Sequence, residues 1–341
     1  MSSKAQKADH LIQINNLEIE GFSDEQWHPI IKGVNLTLKR GQVMGLIGES
    51  GAGKSTLGLA AMGYTQPGCR ITGGEILFEG TDLASLRDSE KQKFWGNRMT
   101  YVAQSAAASF NPAHRLIDQT TASAIRFKIK NESDAKKDAK ELYEALNLPN
   151  PESIGDRYPH QVSGGQLQRV MTAMAMSPRP DLIVFDEPTT ALDVTTQAQT
   201  LDLLNELQEK NGMSIIMITH DLGVIAELAD DVNVMYLGKV VESGTIEQVY
   251  KDPIHPYTKS LLSSIPSLAT KHRERLPILQ GTIPHPVARP SGCNFQPNCS
   301  GETQACYDGD PVTIEESPGH FVLYCGPCYD DHKCAWYPRG I

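Results

Sequence analysis

No stretch of this 341-residue chain approaches the ~18 consecutive apolar residues that a membrane-spanning helix needs. The longest apolar runs, around Leu182–Phe185 and Ile215–Ile218, are the size of strands, so the chain is expected not to cross a bilayer. The N-terminus, MSSKAQKADHLIQ, has no apolar core of signal-peptide length, which points to a protein that stays in the cytoplasm. An excess of positive charge is missing as well. With 31 Lys and Arg against 41 Asp and Glu, the net charge of −10 argues against a nucleic-acid partner, whose phosphates need a concentrated basic surface. Repetition at a fixed period is absent, which excludes a solenoid. Cysteine is scarce until the end: Cys69 stands alone, and the other six of seven all lie beyond residue 292. What is there is ordinary globular composition, 40% hydrophobic and 21% charged. The length exceeds the ~250–300 residues at which single cores stop growing, so one main domain with a tail is expected.

Strand-like segments alternate with helical ones. Val43–Ile47, Leu182–Phe185 and Ser214–Thr219 are short, apolar and rich in branched residues, as parallel strands covered on both faces are. The fold class is therefore α/β. A helical block is expected over about residues 82–176, including Ser133–Leu148 with Ala135, Ala139, Leu142 and Leu146 on one face. After Asp252 prolines recur, marking a connector. The main domain is placed at 1–264 and the tail at 265–341.

Gly48, Glu49, Ser50, Gly51, Ala52, Gly53, Lys54, Ser55 and Thr56 match G-x-x-x-x-G-K-[ST], directly after the Val43–Ile47 strand and before a helical run. In such a loop successive N–H groups point inward at phosphate oxygens, and the following helix adds the partial positive charge of its N-terminus. Lys54 would reach the β- and γ-phosphates and Ser55 would ligate Mg²⁺. Leu182–Phe185 leads into Asp186 and Glu187, placing acids at the carboxyl end of a parallel strand, where α/β sheets bind ligands. Asp186 would join the Mg²⁺ shell and Glu187 would orient or deprotonate the attacking water. The alternative is an acidic pair that caps the next helix.

With these motifs in place the chain, over about residues 11–265, resembles the ATP-binding cassette (ABC) ATPases: a phosphate-loop cassette with a mixed sheet and a helical subdomain, here with a small Cys-rich C-terminal extension. Val162, Ser163, Gly164, Gly165 and Gln166 look like that family's LSGGQ signature, with Val for Leu. The resemblance implies a head-to-tail dimer in which this helix start meets the ATP held by the opposite subunit. Gln104 resembles the Q-loop glutamine that contacts Mg²⁺ or water, although Ser105-Ala106 replaces the usual Asp-Pro after it. Asp193 resembles the D-loop aspartate and His220 the switch histidine at the γ-phosphate. Phe22 is the aromatic expected to stack on adenine, with Trp27 as the alternative.

One phosphate loop, no fused membrane helices and a stretch from Lys54 to Ser163 too short for a coiled-coil arm set aside exporters, translation factors and repair proteins. His255-Pro256-Tyr257-Thr258, followed by Leu261-Leu262, and Gly292-Cys293-Asn294-Phe295-Gln296-Pro297-Asn298-Cys299 resemble elements of the dipeptide, oligopeptide and nickel importer branch. This implies an ATPase at the cytoplasmic face of the inner membrane. Its partners would be two permease subunits, a second ATPase in a heterodimer or a homodimer, and an extracytoplasmic substrate-binding protein. Nickel chelates, glutathione and oligosaccharides stay open beside peptides, as does a soluble ABC protein without a permease. The tail cysteines are spaced C-x5-C-x6-C-x18-C-x2-C-x5-C. In a cytoplasmic chain thiolates at such spacing favour metal over disulfides. The resemblance implies a [4Fe–4S] cluster on Cys293, Cys299, Cys306 and Cys325, with Cys334 the other candidate for the fourth place and Zn²⁺ or no metal as alternatives.

Overall fold

The computed structural model describes residues 10–188, 194–265, 284, 290–299 and 311–324. Its strands are His10–Ser23 (β1), Gln26–Lys39 (β2), Val43–Ile47 (β3), Cys69–Phe78 (β4), Thr81–Asp82 (β5), Met99–Val102 (β6), Leu182–Asp186 (β7), Ser214–Ile218 (β8), Asp231–Tyr236 (β9), Lys239–Thr245 (β10), Val312–Ser317 (β11) and His320–Tyr324 (β12). They form two sheets. The first is antiparallel, in the order β2-β1-β4-β5. The second has eight strands in the order β11-β12-β10-β9-β3-β8-β7-β6, with β9, β3, β8, β7 and β6 mutually parallel.

The three central strands stand where their sequence predicts, and their composition explains why. Side chains alternate between the two faces of a strand. In β7, Leu182 and Val184 pack toward the antiparallel sheet while Ile183 and Phe185 pack toward the helices. In β8, Ile216 and Ile218 take the first side and Ile215 and Met217 the second. With both faces covered, every residue of these strands is apolar or buried, and the run carries no polar alternation.

The block 82–176 is not helical throughout. Met99–Val102, with Thr, Tyr and Val in sequence, pairs in parallel with β7 and forms the edge of the main sheet. Beyond it lie the helices Leu116–Arg126, Glu132–Ala145 and Gly164–Met176. The Glu132–Ala145 helix begins two residues earlier than a cap at Ser133 would allow, because Asn131 caps it by accepting the Asp134 N–H at 2.9 Å. Its buried positions are Ala135, Ala139 and Tyr143, while Leu142 is only half-buried. Tyr143 goes inside because its hydroxyl meets Thr120 Oγ1 at 2.7 Å, which satisfies the polar tip of the ring.

The residues assigned to a separate tail do not all stand apart from the main domain. β12 pairs antiparallel with β10, matching Glu242 to Val322 and Ser243 to Phe321, so the tail extends the cassette's own sheet. Glu242 anchors this joint. One carboxylate oxygen lies 2.8 Å from His320 Nε2 and accepts the Ile254 N–H at 2.9 Å, and the other accepts the His255 N–H at 2.9 Å. Both Glu242 and His320 are buried, as such a pair must be to hold its geometry against water.

Candidate nucleotide site

The loop from Gly48 to Gly53 leaves the carboxyl end of β3 and enters the Lys54–Ala61 helix. Gly48 has φ +145°, and a Cβ there would stand 2.2 Å from the Met235 carbonyl oxygen of β9. Gly53, at φ +99°, occupies the left-handed position that caps the helix, with Ile31 close beside it. Glycine is needed at both places for the loop to turn over the sheet. The first N–H groups of the helix have no carbonyl partner within it, so they are presented at the loop. Lys54 is buried, and its ammonium donates to the carbonyls of Gly48 at 2.7 Å and Glu49 at 2.9 Å. Burial lowers the Lys54 pKa, while Glu187, Asp186 and Glu49 pull it the other way. Burial raises that of Glu49, opposed by Lys54. Both shifts describe a desolvated site that holds one cation among three acids.

Asp186 ends β7, buried at the sheet's carboxyl edge. Its Oδ2 accepts a 2.6 Å hydrogen bond from the Tyr101 hydroxyl on the adjacent strand β6. Tyr101 is pushed far above the usual phenol range by burial first and by Asp186 second, so it stays a donor. Glu187 follows in a left-handed conformation, φ +48°, with its N–H bonded to the Ile218 carbonyl at 2.8 Å. This turn aims the carboxylate out of the strand. Glu187 Oε2 accepts from Gln104 Nε2 at 2.9 Å, and Oε1 lies 3.0 Å from His220 Nδ1. The three residues singled out as Glu187, Gln104 and His220 thus converge on one carboxylate from three different strand ends.

Ser163 caps the Gly164–Met176 helix through a reciprocal pair: its hydroxyl accepts the Gln166 N–H at 3.3 Å, and the Gln166 side chain accepts the Ser163 N–H at 3.0 Å. Ser163 and Gly164 are exposed, so the helix start faces outward. Phe22 and Trp27 face each other across the β1–β2 hairpin, with ring centroids 5.2 Å apart. Arg70 covers one face of Trp27 at 3.9 Å, whereas Phe22 is 53% exposed and presents the more open ring. Asp193 lies outside the described residues, as do Cys306, Cys325 and Cys334. Cys293 and Cys299 are half-buried against the core, and among the described residues no group of three or more ligating side chains comes together.

Two tyrosines that touch this site, Tyr101 and Tyr257, were not assigned to it from sequence, although Tyr257 stands in the His255–Thr258 element. Tyr101 stands three residues before Gln104 but inside the block expected to be helical, so its place on β6 beside Asp186 came only with the structure. Tyr257, whose hydroxyl accepts the Glu49 N–H at 3.0 Å, had no signal for this contact, because it joins positions 208 residues apart.

The family model described as ABC transporter matches residues 31–190, and that described as Oligopeptide/dipeptide transporter, C-terminal region, matches 241–306. The chain is 39% identical over 313 residues to the oligopeptide transport ATP-binding protein AppD of Bacillus subtilis, covering 92% of this chain and 95% of that one. It is 40% identical over 302 residues to the dipeptide transport ATP-binding protein DppD of Haemophilus influenzae, covering 88% and 91%. Among solved structures it resembles the ATP-binding cassette MJ0796, a dimer bound to ADP and Pi, at 26% identity and a TM-score of 0.63 over 69% of this chain and 98% of that one. It also resembles cbiO1 of Clostridium perfringens, at 26% identity and a TM-score of 0.60 over 72% and 92%. The chain belongs to the ABC transporter family and is an ATPase of that family. Within it, the match at 241–306 and these relatives set it beside the oligopeptide and dipeptide transport subunits. No helix among the described residues is long and apolar enough to cross a membrane.

Proposed function

We propose that this chain is the ATP-hydrolysing subunit that energises an importer of peptides, the class its relatives serve by name. The observation that carries the chemistry is the Glu187 carboxylate, held between Gln104 and His220 beside the phosphate loop. ATP would lie with its phosphates against the N–H groups from Gly48 to Thr56, with Lys54 at the β- and γ-phosphates and adenine on Phe22. Ser55, Asp186 and Gln104 offer the hard oxygen donors that suit Mg²⁺, and Tyr101 fixes the Asp186 carboxylate for that task. When bound, Mg²⁺ neutralises charge on the transferring phosphoryl group. Glu187 takes the proton of the attacking water. His220 and Gln104 hold its two oxygens so that one lone pair faces the nucleophile.

In a head-to-tail pair, Ser163, Gly164, Gly165 and Gln166, with Asp193, would close over the ATP of the opposite subunit. The exposed, capped helix start supports that reading, as does the dimeric form in which the MJ0796 cassette was solved. The second ATPase is read as a non-identical chain, and the remaining partners as two permeases at the cytoplasmic face of the inner membrane and an extracytoplasmic binding protein. Mild membrane extraction followed by affinity capture of this chain tests the assignment. Recovery with two membrane proteins and ATP turnover stimulated by peptide-loaded binding protein is expected. Recovery solely as a soluble species overturns it.

For the tail we propose a [4Fe–4S] cluster on Cys293, Cys299, Cys306 and Cys325, with Zn²⁺ as the competing occupant and Cys334 as the competing ligand. Iron and zinc analysis of anaerobically purified protein decides between the two, and the absence of both metals removes the reading.

A further inference from the structure

The Pro256–Ser263 helix reaches from the C-terminal region into the nucleotide site. Proline opens it, and His255 caps it by accepting the Tyr257 N–H on Nδ1 at 3.1 Å. This cap turns Tyr257 inward, where it is fully buried. Its hydroxyl accepts the Glu49 N–H at 3.0 Å, while Lys54 donates to the Gly48 carbonyl at 2.7 Å. Those two groups belong to a single peptide unit. In a trans peptide the C=O and N–H point in opposite directions, so Lys54 and Tyr257 grip one plane from its two sides. That plane is the entrance of the phosphate loop. A phosphate that draws a Lys54 hydrogen away leaves the Tyr257 bond to hold the plane in place.

Tyr257 is itself held by a cluster of rings. It lies 4.7 Å from Tyr236 and 6.0 Å from Phe295, and Phe295 stands 5.4 Å from both Tyr236 and His255. The Tyr236 hydroxyl donates to Asn298 Oδ1 at 2.8 Å. Phe295 and Asn298 belong to the same short segment as Cys293 and Cys299, which packs against this core. Burial keeps the Tyr257 phenol neutral, so its oxygen is always an acceptor shared with its own proton.

We propose that Tyr257 is a positioning residue for the phosphate loop, and that the segment 290–299 sets nucleotide affinity through it. The inference rests on the ATP-site reading above. Aromatic packing aligns the hydroxyl, the hydroxyl fixes the Gly48–Glu49 peptide, and the peptide sets where the following N–H groups point. Any change at 290–299 that shifts Phe295 or Tyr236 is then felt at the phosphates.

The test measures ATP affinity with a fluorescent nucleotide, together with the melting temperature of the nucleotide-free protein. Tyr257→Phe keeps the ring and removes only the acceptor, so affinity is expected to fall about 3- to 10-fold, the range of one hydrogen bond. The melting temperature moves by only a few degrees. Phe295→Leu disturbs the cluster and weakens affinity as well. The double variant Tyr257→Phe/Phe295→Leu binds no more weakly than Tyr257→Phe alone, because residues that act through one another are not additive. Lys54→Ala separates the levels. Binding that survives Lys54→Ala overturns the ATP-site reading and this inference with it. Binding lost in Lys54→Ala but unchanged in Tyr257→Phe overturns the inference alone, and independent, additive losses in the double variant overturn the coupling to 290–299.

Discussion

His220 Nδ1 stands 3.0 Å from Glu187 Oε1, the carboxylate oxygen that Gln104 does not occupy. Each oxygen of Glu187 therefore has its own partner, and the carboxylate cannot rotate without breaking one of them. Replacing Glu187 by Gln keeps the shape and both neighbours but removes the capacity to take a proton. ATP turnover is expected to fall by about 10²–10⁴ while ATP still binds. Phosphate release and nucleotide binding, measured side by side, check this, and undiminished turnover removes Glu187 from the role.

Tyr101→Phe strips the hydroxyl from Asp186 Oδ2 without altering the ring's place on β6. Partners behind a metal ligand are worth about 10- to 100-fold in metal affinity or activity. The Mg²⁺ concentration that half-saturates ATP turnover should rise by about that range. A Mg²⁺ titration indistinguishable from wild type would mean that Asp186 needs no such support.

Gly48→Ala places a methyl group 2.2 Å from the Met235 carbonyl oxygen in a backbone region that favours glycine. Either the loop or β9 has to move. Strain of about 1–3 kcal/mol and loss of nucleotide binding are expected. Thermal unfolding reads the first and fluorescent nucleotide titration the second.

Glu242→Ala leaves three partners without their acceptor: the half-buried N–H group of Ile254, the buried N–H group of His255 and the buried His320 ring. Breaking a buried pair by removing one member costs about 3–5 kcal/mol. A drop in unfolding free energy of that size is expected by denaturant titration, whereas a loss below about 1 kcal/mol would place the carboxylate in contact with water.

The central strands and the phosphate loop were legible because their signals are local. Val43–Ile47 and Leu182–Phe185 carry their burial in unbroken apolar runs, and Gly48 to Thr56 carries its geometry in its glycines. Family resemblance grouped Gln104, Glu187 and His220 at one site, but their bonds to a single carboxylate were not legible, since three separate strand ends must meet to make them. The antiparallel sheet escaped notice because β1 and β2 alternate imperfectly, with bulges near Asn15 and Ile19 that break the period of two. Tyr143 escaped because a helix face counted by aliphatic residues passes over an aromatic whose hydroxyl finds Thr120. Tyr257 and Glu242 could not be found at all from spacing, since their partners are remote in sequence and their chemistry lies in hydrogen bonds rather than in a pattern.

The hairpin of β11 and β12 also closes a seam. β10 is paired with β9 on one side, and on the other its backbone groups near Glu242 and Ser243 are taken up by β12. A chain cut after residue 264 would keep the residues proposed to hold ATP yet bare this flank of β10 as an open row of donors and acceptors, the kind of edge on which chains join one another. The C-terminal hairpin thus moves the sheet's border outward from β10, whose residues are mostly buried or half-buried, to β11, whose residues are mostly exposed.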